Sequence, residues 1–304
     1  MDTIEKALKK HQLSTESALR EQENESSNRS SSIESTEERS SAANNPEPRV
    51  KLSRDRQTDS SDRSGYLALD LDALSELGII LPDDKRSKIK EEYKHIKRPL
   101  LQKASVGSIA MNHHNLIMVT SSYSGEGKTF SSLNLAMSIA VERDCRVLLV
   151  DADVVKPGME KLLKMEGRPG LVEYLNGEVG SFGDILLNTN VQNLTIAPAG
   201  KTHHLSHELL ASNAMRDLME ELATRYSDRV VIFDCPPLLV TSEAKVLSKL
   251  VGQIVLVVEQ DKTSQSAVMD SIAMLERQKL SGLILNKSKS AREAYYGYYY
   301  SENQ

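Results

Sequence analysis

The sequence predicts an α/β fold, a mainly parallel β-sheet flanked by helices, set between a polar N-terminal stretch and a tyrosine-rich tail. Three observations predict it. Short runs of β-branched residues and leucine, apolar without alternation, read as strands buried on both faces. Longer stretches with helical spacing separate them. Several of the apolar runs end in glycine-rich or acidic residues, as expected where the ends of parallel strands carry ligands.

The elements follow in order. The chain has 304 residues, 39% of them hydrophobic, and a net charge of −5. That hydrophobic share is low for a wholly globular protein, so part of the chain is expected outside the fold. Charges of both signs are interspersed, which argues against a nucleic-acid partner. Residues 1–20 place Ile4, Ala7, Leu8, Leu13 and Leu19 among charges, a short amphipathic helix. In residues 21–65 the only aliphatics from Gln22 onward are Ile33, Ala42, Ala43, Val50 and Leu52. Such a stretch buries too little apolar surface to offset its ordering entropy and reads as a disordered linker. The folded domain is expected over 66–286, with a helical lead-in at 66–110. In that lead-in a helix over 84–101 should be interrupted or ended near Pro99. Strands are predicted at 116–119, 147–150, 194–197, 230–233, 254–258 and 283–285. Helices are predicted at 129–143, 206–226, 243–250 and 264–279. Cys145 and Cys235 sit in or beside apolar runs and read as reduced thiols rather than a disulfide. No apolar run approaches the roughly 20 residues that span a bilayer, and the first residues lack the core of a signal peptide. A cytoplasmic protein is therefore expected.

The chemistry concentrates at three strand ends. The segment LIMVTSSYSGEGKT over 116–129 runs from a strand, through a turn with Gly125 and Gly127, into a helix starting at Lys128 and Thr129. Glycines let consecutive backbone N–H groups face one concavity, which a phosphate fills at the positive end of the helix. Ser124, Gly125, Glu126, Gly127, Lys128, Thr129 and Phe130 form the expected nucleotide-binding run. Lys128 would reach the β- and γ-phosphates and the Thr129 hydroxyl would bind Mg2+. Ser122 stands where the general phosphate-loop pattern begins with glycine. In VLLVDAD over 147–153, Asp151 and Asp153 lie on the same side of an extended chain, and VVIFDCPP over 230–237 sets Asp234 at an equivalent strand end. Carboxylates in these places converge on the phosphate crevice and offer the hard oxygens that Mg2+ needs. The pattern is that of a P-loop NTPase fold. His203, His204 and His207 have no thiolate or carboxylate cluster beside them and read as a solvated loop and helix start.

These motifs, in this order, resemble the bacterial tyrosine kinase family, a branch of the deviant phosphate-loop ATPases. The family loop has Thr-Ser-x-x-Pro-Gly-Glu-Gly-Lys-Thr after a hydrophobic residue; here it is TSSYSGEGKT over 120–129, with Ser124 in place of proline. The family's Asp-x-Asp matches at Asp151 and Asp153, but Val154, Val155 and Lys156 occupy the region where an arginine follows. Its Asp-x-Pro-Pro matches at Asp234, Pro236 and Pro237. Related partitioning and division-site ATPases carry an early lysine in the loop, where this chain has Tyr123 and Ser124. The opening residues 3–8, with 96–100, are similar to the exopolysaccharide and exosortase-associated subgroup.

The resemblance implies ATP and Mg2+ as cofactors and autophosphorylation between neighbouring subunits. The acceptors would be the tail tyrosines Tyr295, Tyr296, Tyr298, Tyr299 and Tyr300, half of the ten in the chain. The tail, 287–304, has little else apolar and is expected to be mobile. Glu91, Lys94 and Lys97 match the family's Glu-x-x-Arg-x-x-Arg element, which builds a homo-oligomeric ring, although lysine lacks arginine's bidentate fork. The activating transmembrane segment of many family members is not in this sequence. A separate inner-membrane polysaccharide co-polymerase, or chain-length determinant, is thus implied as activator, with the kinase held peripherally at the membrane. Lys128, Asp151 and Asp153 are the expected catalytic residues; Thr129, Asp153 and Asp234 are expected to serve the metal. Asn286, at the end of the last strand, is a candidate for adenine contact or strand capping. Two other readings are a switch ATPase without kinase activity and a weakly catalytic regulatory module of the co-polymerase.

Overall fold

A computed structural model describes residues 65–82, 87–105, 113–201, 206–226 and 228–288. The expected N-terminal helix, all of the expected linker but Gly65, His203, His204, the His207 side chain and the five tail tyrosines lie outside what it describes.

The chain enters through β1 (Gly65–Leu67), α1 (Leu71–Glu76) and α2 (Lys88–Ser105). It continues through β2 (Leu116–Ser121), α3 (Lys128–Ala140), β3 (Arg146–Asp151), α4 (Met159–Leu163) and α5 (Leu171–Leu175). A short 3-10 turn, Phe182–Ile185, leads to β4 (Leu187–Thr189) and β5 (Leu194–Ala197). Then come α6 (Ser206–Leu210), α7 (Asn213–Thr224), β6 (Arg229–Asp234), α8 (Ser242–Leu250), β7 (Gln253–Glu259), α9 (Gln265–Ala273) and β8 (Leu280–Asn286). The eight strands form one sheet in the order β1-β4-β5-β3-β6-β2-β7-β8. Its neighbours run parallel except β4 and β5, which are antiparallel.

The central strands are apolar throughout because both faces are covered. Successive side chains alternate between two cores, as the pleat requires. Leu116, Met118, Leu148, Val150, Val231 and Phe233 pack with Met215, Leu218 and Leu222 of α7. Their neighbours Ile117, Val119, Val147, Leu149, Val230 and Ile232 pack with Leu133 and Met137 of α3 and Tyr93 and Leu100 of α2. This layering fixes strand register, since a slip of one residue would exchange the faces of an entire strand.

Four expectations are corrected. The lead-in helix runs unbroken through Pro99 to Ser105. Pro99 removes one backbone bond, but Tyr93, Ile96, Leu100 and Leu101 dock on the second core across the same stretch. The helix expected over 206–226 is two, because Ser212 starts α7 afresh by accepting the Met215 N–H at 3.2 Å. The helix expected over 264–279 stops at Ala273, and a 3-10 turn, Arg277–Lys279, leads into β8. Lys97 also departs from the reading of Glu91, Lys94 and Lys97 as one interface stripe. It is buried at 6% exposure, pairs with Glu142 at 2.7 Å and donates to the Ser138 carbonyl near the end of α3. Lys94, by contrast, bonds Glu91 at 2.6 Å along the helix surface. Both cysteines are free thiols, Cys235 buried and Cys145 half-buried. Among the described residues, no helix is long and apolar enough to cross a membrane.

The two lysines should therefore behave differently in urea denaturation. Lys97→Ala leaves a helix-end carbonyl and a carboxylate without their partner and should cost about 1.5–3 kcal/mol. Lys94→Ala, at the surface, should cost less than about 0.5 kcal/mol. Equal small losses would show that Lys97 does not hold α2 to α3.

Candidate nucleotide site

The site lies where β2, β3 and β6 end side by side. Between β2 and α3 the chain turns on Gly125 and Gly127, with φ of 88° and 102°, a region that L side chains rarely adopt. Crowding adds a second requirement at Gly127, where a Cβ would stand 1.9 Å from the Asn286 amide nitrogen. Ser124 and Gly125 are exposed at the crown of the turn and Glu126 is buried beneath it.

Parallel pairing of β3 with β6 sets Asp151 beside Asp234. Lys128 and Asp153, 7% and 5% exposed, form an ion pair at 3.2 Å. The Asp234 carboxylate accepts the Thr129 hydroxyl at 2.6 Å and the Ser132 hydroxyl at 3.2 Å. Asp151 Oδ1 accepts the Asp153 N–H at 3.1 Å, whereas the buried Asp151 Oδ2 has no hydrogen-bond partner. The structure thus brings Lys128, Thr129, Asp151, Asp153 and Asp234 together, as their motifs predict.

The crevice is electrostatically tense. Burial pushes the Asp234 carboxyl up to about 6, against the pull of Lys128 and the Thr129 and Ser132 hydroxyls. Burial, reinforced by the charge of Asp234, raises Asp151 well above the usual carboxylate range. Desolvation favours the neutral acid, and a second carboxylate nearby does the same.

Other residues take roles that their spacing does not announce. The Phe130 ring packs toward the second core, close to Gly78, so its side chain serves packing. Asn286 donates to the Glu126 carbonyl at 2.9 Å, which ties the last strand to the loop. Ser132, one turn into α3, holds Asp234, a contact that helical spacing from Lys128 could have suggested. Gly158 approaches so closely that a Cβ there would lie 3.0 Å from the Thr129 hydroxyl. Val155, in the region where the resembled pattern has arginine, is 41% exposed and supplies no charge.

The donor set suits a metal that arrives with a nucleotide. Among the described residues, no three His, Cys, Asp or Glu side chains gather as a self-sufficient metal group. Mg2+ typically takes one or two carboxylates and completes its shell with water and phosphate oxygens. Thr129 and Asp234 fit that partial role, with Asp153 nearby on Lys128 and the buried Asp151 Oδ2 left unpartnered.

Comparison with known proteins identifies the family. A family model described as an AAA domain matches residues 114–287. Tyrosine-protein kinase YwqD of Bacillus subtilis is 31% identical over 223 residues, covering 73% of this chain and 90% of that protein. The chain belongs to the bacterial tyrosine-protein kinase family. A second relative, the succinoglycan biosynthesis transport protein ExoP of Rhizobium meliloti, is 32% identical over 245 residues. That match covers 75% of this chain and 30% of ExoP. The solved structure of the chimerical protein CapA2B2 is 25% identical, with a TM-score of 0.60, covering 72% of this chain and 99% of that one. As a member of this phosphate-loop kinase family, the chain is a nucleotide-binding enzyme, and the crevice described above is where its motifs meet.

The raised Asp234 carboxyl gives this kinase a signed pH dependence. An acid at 3.8 when unfolded and about 6 when folded binds its proton more tightly in the native state. Stability falls as pH rises through that window, and the loss is complete above about 6. Asp234→Asn should therefore raise stability at pH 7.5 by on the order of 1–3 kcal/mol, seen as a higher thermal midpoint. The gain should narrow by pH 5. A variant equally or less stable than the parent at pH 7.5 would contradict this reading of the crevice.

Proposed function

We propose that this chain is an ATP-dependent protein-tyrosine autokinase. It phosphorylates Tyr295, Tyr296, Tyr298, Tyr299 and Tyr300 in its C-terminal tail, between subunits of a homo-oligomer, and so regulates exopolysaccharide polymerisation or export. The observation that carries the proposal is the convergence of Lys128, Thr129 and three strand-end carboxylates in one crevice of a family kinase.

Phosphoryl transfer asks a protein mainly for positioning and charge neutralisation. In this reading the loop amides and Lys128 hold the β- and γ-phosphates. Lys128 then exchanges its ion pair with Asp153 for the incoming anion, which frees Asp153 to support the metal shell through water. Thr129 and Asp234 would hold Mg2+, which would offset part of the negative charge on the phosphate oxygens when bound. Asp151 orients the tyrosine hydroxyl and takes its proton as the phenolic oxygen bonds to the γ-phosphorus and the bond to ADP breaks. Its unpartnered Oδ2 leaves a lone pair for that task. Its raised pKa brings it closer to the operating pH of a general base.

The kinship with ExoP, named for succinoglycan transport, supports a polysaccharide system. The activator would be an inner-membrane co-polymerase whose cytoplasmic segment docks on this chain and keeps it at the membrane. Glu91 and Lys94 remain the candidates for a ring contact, without Lys97. A second reading is a switch ATPase that hydrolyses ATP without kinase activity; Val154, Val155 and Lys156 stand where the resembled pattern has arginine.

A phosphotyrosine assay with Mg·ATP separates the two. The full chain should label, whereas Lys128→Met and a truncation after Ala294 should lose more than about 100-fold of the signal, the scale of a lost electrostatic stabiliser. Phosphate release without phosphotyrosine in the full chain would establish the switch ATPase instead.

A further inference from the structure

The phosphate loop is held from behind by the end of the last strand. Asn286 donates its side-chain amide to the Glu126 carbonyl at 2.9 Å. Next to it, the Lys287 ammonium donates to the Gly125 carbonyl at 2.7 Å and pairs with Glu259 at 3.2 Å. The Glu126 side chain, 3% exposed, accepts the Tyr123 N–H at 3.0 Å and the hydroxyl of Thr263. Thr263 in turn accepts the Glu259 N–H at 3.2 Å, and Gln260 donates its N–H to the Asn286 carbonyl at 2.9 Å. One connected network thus joins the loop crown to the ends of β7 and β8.

The geometry has a direct consequence for ligand binding. A loop that turns its amides into one concavity must turn the matching carbonyls outward, and each outward carbonyl needs a donor. Asn286 and Lys287 supply donors to two successive carbonyls at the crown. The crown itself contains two glycines with positive φ, the residues that lose most conformational freedom on ordering. We infer that Asn286 and Lys287 are positioning residues that brace the phosphate loop in its ligand-ready form, so that less ordering is left to the binding step. The inference rests on the nucleotide-binding reading of the same loop. It assigns Asn286 to the loop backbone rather than to adenine.

Titration of the full chain with Mg·ADP and, separately, with Mg·pyrophosphate tests this. Asn286→Ala and Lys287→Met should each weaken both ligands about three- to tenfold, the scale of one lost hydrogen bond. Lys287→Arg should restore affinity. Thermal midpoints should stay near the parent's, most clearly for Lys287, whose side chain is 47% exposed. In tyrosine phosphorylation the KM for ATP should rise while kcat at saturation changes less than about twofold. Weakened ADP binding with unchanged pyrophosphate binding would mean that Asn286 reads the base, and would overturn the brace. Parental affinity in both variants would overturn it as well. If the parent binds neither ligand, the reading of the loop itself fails, a result distinct from either of these.

Discussion

Three buried carboxylates at neighbouring strand ends share a crevice with the buried Lys128, and much of the structure serves to keep them there. Asp151 and Asp234 are forced side by side by strand pairing, and the charge of Asp153 acts on both. In a low-dielectric setting like charges so close raise one another's proton affinity. Lys128 answers Asp153, and two hydroxyls answer Asp234, but Asp151 keeps one oxygen unanswered. Only a sheet buried on both faces, with its register locked by two cores, can hold such a group against its own repulsion. The same repulsion makes the crevice receptive to a cation accompanied by phosphate.

Much of this was legible in the sequence. β2, β3, β6 and β7 were marked by unbroken apolar runs, because burial on both faces removes alternation; the edge strand β8, expected to be buried likewise, instead leaves Leu283 and Leu285 exposed. The site was marked by the short spacings of its motifs, since Lys128, Thr129, Asp151, Asp153 and Asp234 all sit at strand or helix ends. Those ends must meet in a parallel sheet. What escaped was long-range or local in scale. β1 and β4 have three residues each and exist as strands only through their neighbours. Lys97 read as a surface residue because its burial depends on where α3 packs, which helix periodicity alone does not reveal. Gly158 and Thr263 touch the motif residues across large sequence separations, so nothing in their spacing announced them.

Pro99 shows the opposite error, a local signal overruled. A proline inside a helix loses one backbone bond, yet the docking of α2 on the second core retains the helix through it. Gly127 shows agreement between levels: the turn needs its positive φ, and Asn286 leaves no room for a side chain. Where local and tertiary demands coincide in this way, a residue is fixed twice over.

In the proposed kinase, metal and nucleotide together complete the carboxylate crevice. Thermal unfolding of the full chain at pH 7.5 tests it most directly, comparing Mg2+ alone, ADP alone, ADP with a chelator, and Mg2+ with ADP. The account predicts a large rise in the midpoint for the pair and little change for either alone, because the protein's ligands form only part of a metal shell. Equal stabilisation by Mg2+ without nucleotide, or none by the pair, would contradict it.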